Sequence, residues 1–563
     1  MEATLSNTES IAGRLAPLDE KRGLVAPWWL WVFAAMLCAC VGLLVYQIQT
    51  AWMETHSQIP DPATYTLSAI RVAEEVAREG RWVVAWQQVV HNPLNPLRLI
   101  PLVLLAPRAL IHPLGHLCTT VPMLYVFIAL LGATAFRRSG SAVYACCCMM
   151  TGCAVPGLYN GTWGLGPFWL DLPAGLLIAA AGLALLNSDG LRRLSWCALA
   201  ALLISWAALS RYVAGVYGFF VCGPVIAAYF IGRLRSGESW KECSVPILLM
   251  GGMIAAFAGW FVVGHYSAVS TQYAIYGFGN KGMLGSFQFT ISSLEKFLSP
   301  QFAALLVVPA VLNLVLAIRA GGNIGSLAIQ WWFPAAVVAF LTISCEVGEA
   351  AHGTFYAVPL LVLAALLPAP SVYPSPWALR LLGPGVAVIS LYLSFGVAHS
   401  TYERGIHPAP VAKAIKESEL KLGRAIADQG ARLVWVPYFD ECDTIVTVET
   451  FAKFGVLLGR APHESRFTVH ESYWKGYHPD RSVAQVASEV FENATGDIDI
   501  AIVPQDPARA LALADNDYSR EVIRQMTDKV PADPNWKRIF EVESPRFGLL
   551  AGYRNQNRLR TPH

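Results

Sequence analysis

Hydrophobic positions in this chain fall in long unbroken runs separated by short polar punctuation. The first, Ala26 to Ile48, has about the length that crosses a ~30 Å hydrocarbon core. It is longer than the ~7–15 residues of a signal-peptide core and follows Lys21 and Arg22, so it reads as a retained first span. Trp28, Trp29 and Trp31 at its start fit an aromatic belt at the inner interface. Similar runs at 117–135, 142–158, 167–187, 195–209, 212–232, 245–266, 301–319, 329–346, 354–369 and 378–398 predict roughly eleven spans in all.

The polar interruptions orient these spans. Arg137 and Arg138, Arg192 and Arg193, Arg233, Arg235 and Lys241, Arg319 and Arg380 fall on one side if the spans alternate. The positive-inside rule makes that side the cytoplasm. An odd span count then puts residues 400–563 outside. Two longer stretches lie on the same outer side. In the first outer loop, 51–116, Tyr65, Leu67, Ile70 and Val76 recur at helical spacing among Arg71, Glu74, Glu75 and Arg78. They predict an amphipathic helix lying in the membrane interface, with Asp61 and Pro62 at its entrance. The second outer loop, 267–300, carries Gly277, Gly279, Gly282 and Gly285, which suit either a movable lid or a passive connector.

After His399 the pattern changes. A charged helical run, Val411 to Gln429, and short β-like runs at Leu433–Pro437, Thr444–Val448, Ile498–Val503, Ile539–Val542 and Phe547–Tyr553 predict a small α/β domain. Ser472 to Ser482, with YWKGYHPDR in its middle, reads as a surface loop, either an ordinary solvated one or one that meets sugar or lipid head groups. The expected organisation is a cytoplasmic tail (1–26), a transmembrane module (27–399) and an extracytoplasmic α/β domain (400–563).

Composition agrees with the pattern. The 563 residues are 55% hydrophobic and 14% charged, with a mean hydropathy of +0.45; a soluble chain is about 25% charged. The fold class expected is therefore a polytopic α-helical membrane protein with a C-terminal α/β domain. A net charge of +2 and the lack of a basic tract with interleaved aromatics argue against a nucleic-acid partner. Eleven of the twelve cysteines sit in or beside apolar runs, which argues against a disulfide framework. The Cys146, Cys147, Cys148 triplet reads as small hydrophobes in a span.

Charges are costly at membrane depth, so ionisable residues at span edges are candidates for function. Asp61 lies just past the first span. Asp171, in GPFWLDLPAGLL, is placed about one turn into a span. Arg211 and Tyr212 occupy the turn between two further spans, and Glu346, Glu349 and His352 occupy the turn CEVGEAAHGTF. All of them come to the outer side. Each also has a plainer reading: Asp61 and Asp171 as helix caps next to prolines, Glu346 to His352 as a wet turn, and Asp171 with Arg211 as an ion pair that stitches two spans.

The order of these features resembles a known family. An Asp follows the first span with Tyr65 four residues on, and HNPLNPL runs from His91 to Leu97. A basic pair, Arg137 and Arg138, ends the second span. WLDLPAGLLIAAAGLALL, WAALSRYVAG (Trp206 to Gly215) and HGTFYAVPLLVLAALL (His352 to Leu367) follow. Together they are similar to the GT-C superfamily of membrane glycosyltransferases, in the branch of the protein O-mannosyltransferases and the bacterial lipid A aminoarabinose transferase.

The resemblance implies transfer of a sugar from a polyprenyl-phosphate donor to a lipid, glycan or protein acceptor, with inversion, at the outer face of a bacterial inner membrane. It implies catalytic roles for Asp61, as general base, and Asp171. Arg98, Arg108 and Arg211 would hold the donor phosphate, with Tyr65, His91, Tyr212, Glu346, Glu349 and His352 at the substrate or a metal. Where many relatives carry a second first-loop acid this chain has Pro62, and Glu54, Glu74 or Glu75 would have to substitute. A divalent cation held by Asp171 and its neighbours would be Mg, Mn or Ca before Zn, although His352 or His56 would suit Zn. The rival readings are a transporter or flippase of a lipid-linked saccharide, and a non-catalytic scaffold in envelope-polysaccharide assembly.

Overall fold

A chain whose apolar runs cross lipid must satisfy its backbone internally, and helices do so within one segment. The computed structural model describes residues 26–56, 60–91, 96–112, 114–266, 283–319, 324–344, 347–368, 376–429, 433–436, 468–471, 498–512 and 517–557, with a few isolated positions between 482 and 488. The expectations for Thr444–Val448 and Ser472–Arg481, and for the glycines of the 267–282 stretch, lie outside the described residues.

Among the described residues, seven helices are long and apolar enough to cross a membrane and four apolar helices are shorter. In chain order they are α1 (Trp28–Thr55), α2 (Leu117–Ser139), α3 (Ala142–Cys153), α4 (Asp171–Asn187), α5 (Leu194–Ser210) and α6 (Tyr212–Arg235). Next come α7 (Trp240–Gly264), α8 (Pro300–Arg319), α9 (Ile324–Ser344), α10 (Val347–Leu366) and α11 (Pro376–Ile406). The chain is a polytopic α-helical membrane fold, with the expected amphipathic helix observed at Pro60–Glu79. Several predicted boundaries move: α1 runs on to Thr55, α10 begins at Val347, not 354, α11 runs to Ile406, not 398, α3 ends at Cys153, not 158, and α4 begins at Asp171, not 167. The intervening residues, including a short 3-10 turn at Pro156–Tyr159, are apolar and mostly buried, so by hydropathy they look like membrane-spanning helix. The second outer loop likewise contains a helix, Met283–Leu298.

The chain divides into two compact units. The first comprises Met1–Ile48, Glu74–Leu110 and Leu114–Thr401. At its centre α4 is buried along its whole length. Its sequence, rich in Ala, Gly and Leu, is apolar all round and lets neighbouring backbones come close. Gly175 is such a point: a Cβ there would stand 2.2 Å from the Phe355 carbonyl oxygen of α10.

At one end of this unit, buried polar groups satisfy one another. Pro368, which has no N–H to donate, stops α10 from continuing and leaves its last carbonyls without helical partners. Five consecutive ones are capped by side chains from four other helices. Gln330 Nε2 donates to Ala364 O (2.7 Å) and Leu367 O (2.8 Å), and Asn313 Nδ2 to Ala365 O (3.1 Å). Tyr144 Oη donates to Leu366 O (2.5 Å). Arg138 donates to Pro368 O (3.1 Å) and to Gln330 Oε1 (2.7 Å). Beside them Arg137 donates to Asn187 Oδ1 (2.8 Å), while Arg192 and Arg233 share the Glu238 carboxylate. Arg137, Arg138, Arg192 and Arg233, four of the basic residues that sequence assigns to one side, thus lie at or just past the carboxyl ends of α2, α4 and α6.

The second unit comprises Gln49–Ala73, Ile111–Pro113 and Tyr402–His563. It therefore includes the end of α1 and the start of the first loop as well as the tail. Its five strands, β1 (Leu433–Val436), β2 (Thr468–Glu471), β3 (Ile500–Pro504), β4 (Trp536–Ser544) and β5 (Gly548–Asn555), form one sheet in the order β2-β1-β3-β5-β4. β1 pairs in parallel with β2 and β3, and β5 antiparallel with β3 and β4. Side chains of β3 alternate between faces. Ile500 and Ile502 pack with Leu422 and Ile426 of helix Pro410–Ala427. Ala501 and Val503 pack with Val522, Met526 and Val530 of helix Asp517–Ala532. Gly548 opens β5 at a φ of +73°, the left-handed turn that joins it to β4. The end of α1 is capped within this unit by the Lys416 ammonium, which donates to Met53 O.

Replacing Gln330 by Ala should lower stability by about 2–4 kcal/mol, because it removes the cap on Ala364 O, one of the two donors to Leu367 O and the Arg138 contact together. Thermal melting of the purified protein in detergent checks this: a drop no larger than that of a lipid-facing control substitution refutes the cap.

Candidate active site

The opposite ends of the central helices hold the best-defined polar constellation in the first unit. Asp171 is the first residue of α4 and is 2% exposed. The residue that caps this helix is Leu170, with no side-chain cap bond, so the capping role foreseen for Asp171 is not the one it plays. Instead its Oδ1 accepts from Arg211 Nε at 3.2 Å and from Tyr356 Oη at 3.0 Å. Position in the first turn of α4 also favours a negative charge through the helix dipole.

Arg211 is the whole connection between α5 and α6. It is C-cap to one and N-cap to the other, in extended conformation with φ −158° and ψ 117°. Its amide donates to Ala207 O at 2.9 Å and its carbonyl accepts from the Ala214 amide at 2.9 Å. Only 9% exposed, its guanidinium carbon lies 5.7 Å from the Tyr212 ring centroid. Tyr356 is fully buried and stacks on Tyr217 of α6 with centroids 4.0 Å apart. The α4–α10 approach that Gly175 permits sets Tyr356 within reach of Asp171. Four helices thus converge on one carboxylate, with a cation and a phenol as its partners.

Aromatic rings continue from this point. Trp169, two residues before Asp171, lies 5.3 Å from the ring of Phe355, the residue before Tyr356. Trp163 stacks on Trp169 at 5.0 Å. His116 is buried and stacks on Phe168 at 4.6 Å.

The other candidates from sequence are distributed differently. Arg108 is exposed in the first unit. His91, Arg98, Glu349 and His352 lie on described helices, but their side chains, like that of Asp61, are outside the described residues, as is Glu346 altogether. Asp61 and Tyr65 belong to the second unit, where Tyr65 is buried. Tyr356, Trp163 and Trp169 were not singled out from sequence. A phenol inside the apolar run HGTFYAVPLLV is the signal for the first, since a hydroxyl buried in a span needs a partner.

Among the described residues no group of three or more His, Cys, Asp or Glu side chains comes together. Asp171 already faces a guanidinium, so its surroundings do not fit a divalent cation. The same is true of His56. It stacks on Trp52 with centroids 3.7 Å apart, and its pKa is lowered by burial and by the nearby Lys416 and Arg404 charges.

Comparison with known proteins follows this geometry. No family model matches the chain and no curated protein matches it. The fold is similar to that of solved structures of ArnT. A crystal structure of ArnT from Cupriavidus metallidurans bound to undecaprenyl phosphate aligns with a TM-score of 0.54 and 14% identity, covering 92% of this chain and 97% of that one. The apo form of the same protein aligns with a TM-score of 0.53 and 13% identity, over 94% and 99% of the two chains.

Two outcomes are expected. Asp171→Asn should destabilise the fold by about 3–5 kcal/mol by leaving the Arg211 charge buried without its partner, while Asp171→Leu combined with Arg211→Met should recover much of that loss. Equal melting temperatures for Asp171→Asn and wild type would refute the buried pair. For His56, the folded pKa lies below the ordinary value of 6.5, so its contribution is complete above pH 6.5 and is lost as pH falls from there toward the lowered value. Melting followed from about pH 7.5 to about pH 5 should show this slope, diminished in His56→Phe.

Proposed function

We propose that this protein is a lipid-linked-sugar-dependent glycosyltransferase. It transfers a hexosyl or pentosyl group from a polyprenyl-phosphate donor to a hydroxyl of a lipid, glycan or protein acceptor. The observation that carries this reading is the buried Asp171–Arg211–Tyr356 constellation, in a fold whose solved neighbour binds undecaprenyl phosphate. In this reading the chain sits in a bacterial inner membrane, with residues 400–563 on the extracytoplasmic side. The donor is drawn from the outer leaflet.

The acceptor oxygen attacks the anomeric carbon from the face opposite the phosphate. The carbon–oxygen bond to phosphate breaks and its electron pair leaves with the polyprenyl phosphate, inverting the configuration. The proton of the acceptor hydroxyl passes to a carboxylate base, for which Asp61 at the start of helix Pro60–Glu79 is the candidate. A polyprenyl phosphate leaves readily once its growing charge is met. Arg211, whose guanidinium is oriented by the Asp171 carboxylate, is the candidate for that role. Arg98 and Arg108 are further candidates for the phosphate.

The test is donor consumption by purified protein in nanodiscs, with a panel of undecaprenyl-phosphoryl hexoses and pentoses and membrane extract as acceptor. Wild type should consume a donor and release undecaprenyl phosphate. Asp61→Asn should lose about 10²–10⁴-fold in rate at unchanged melting temperature, the usual contribution of a positioned base. Arg211→Lys, which keeps the charge but not the fork, should also slow transfer. Movement of donor across the bilayer without consumption would replace this reading by that of a flippase, and full activity of Asp61→Asn would remove the base assignment.

A further inference from the structure

The stretch between α3 and α4, residues 154–170, is built with more precision than a connector needs. Asn160 Oδ1 accepts from the amides of Thr162 (2.8 Å) and Trp163 (3.0 Å), an Asx turn that fixes the Trp163 backbone. Gly164 donates to Asn160 O at 3.0 Å and Leu165 to Leu158 O at 2.9 Å. A Cβ on Gly164 would stand 2.5 Å from both the Leu158 and Asn160 carbonyl oxygens, so only glycine closes this turn. Trp169 Nε1 donates back to Thr162 O at 3.0 Å. Gly157 in turn packs so closely on Phe297 that a Cβ there would stand 2.4 Å from its ring.

All of this holds one indole. Trp163 lies nearly parallel to Trp169, with centroids 5.0 Å apart and planes 9° from each other. Its ring is 6.3 Å from that of Phe355. Trp169, Phe355 and Phe297 are buried at 3%, 1% and 6% exposure, whereas Trp163 is 38% exposed. The platform is continuous with the candidate active site: Trp169 precedes Asp171 by two residues, and Phe355 precedes Tyr356, whose hydroxyl donates to that carboxylate.

We infer that Trp163 is the stacking platform for the sugar ring of the lipid-linked donor, a site that rests on the glycosyltransferase reading above. A pyranose or furanose presents a face of C–H bonds carrying partial positive charge, and the face of an indole carries the complementary negative charge. A ring already held by Trp169 and by the turn beneath it loses no side-chain freedom when the sugar arrives, which favours binding. The polyprenyl chain, flexible and uniformly apolar, has no use for a flat face of fixed orientation beside an ionised pair. Stacking reads ring shape and not individual hydroxyls, so the platform accepts a class of sugars and leaves discrimination among them to polar groups.

The experiment uses the full chain in nanodiscs labelled with 5-fluorotryptophan, the Trp163 resonance being the one missing from Trp163→Phe. Undecaprenyl-phosphoryl hexoses and pentoses are added in one series and bare undecaprenyl phosphate in another. The Trp163 resonance should shift with the sugar-bearing lipids and stay in place with the bare carrier. In the transfer assay Trp163→Ala should raise the donor KM about tenfold, a loss of ~1.4 kcal/mol in binding, with kcat little changed, and Trp163→Phe should recover most of it. An equal shift with the bare carrier, no shift with any sugar, or an unchanged KM in Trp163→Ala overturns the platform. The two readings fail separately. Donor consumption with a silent Trp163 removes the platform and keeps the transferase, whereas a sugar-dependent shift without donor consumption keeps the platform and removes the transferase.

Discussion

A buried polar group in a helical bundle must find its partner in the protein, because no water reaches it, and this constraint shapes both ends of the first unit. At one end the constraint is met by caps. The carbonyls of Ala364 to Pro368 have no helix to continue into, and Gln330, Asn313, Tyr144 and Arg138 reach them from α9, α8, α3 and α2. These bonds join five helices at one point, so register among them follows from hydrogen bonding as well as from packing. At the other end the constraint is met by a charge pair and a phenol.

The two ends differ in what their groups can do. The capping end uses neutral amides and a phenol against carbonyls, with Arg138 spread over Pro368 O and the Gln330 side-chain oxygen. At the Asp171 end a carboxylate and a guanidinium face each other, and only one edge of the guanidinium is described as bonded to the acid. An arginine held by a buried carboxylate is fixed in orientation, and the pair stitches α4 to the turn between α5 and α6. An ion pair buried this deeply is stabilising only while both partners are present.

The second unit follows soluble-protein rules. β3 is apolar on both faces because a helix covers each, and the antiparallel β4–β5 hairpin extends the sheet on the side away from the parallel pair. The end of α1 belongs to this unit through the Lys416 cap on Met53 and the Arg404 guanidinium 5.7 Å from the Trp52 ring. The first loop's amphipathic helix straddles the division, with Pro60 to Ala73 on this side.

What sequence alone determined was the order of the apolar helices, of which seven of the roughly eleven expected are long enough to cross a membrane among the described residues, the presence of the amphipathic helix after α1, and the α/β character of the tail. Each of these depends on the local pattern of apolar and polar residues, which burial in lipid or in a sheet imposes directly. The likeness of fold to the solved ArnT structures was foreshadowed by the order of DLPAGLL, SRY and HGTFYAVP. Tertiary structure alone decided the limits of α3 and α4. Residues 154–158 and 167–170 read as the ends of spans because they are apolar and buried, and hydropathy records burial without recording whether the backbone is helical. It also decided that Asp171 binds Arg211 and Tyr356 in place of capping α4, because the partners are 40 and 185 residues away in the chain. The platform under Trp163 was equally out of reach, since a tryptophan in an apolar run reads the same whether its ring faces lipid, core or ligand until the neighbouring rings are placed around it.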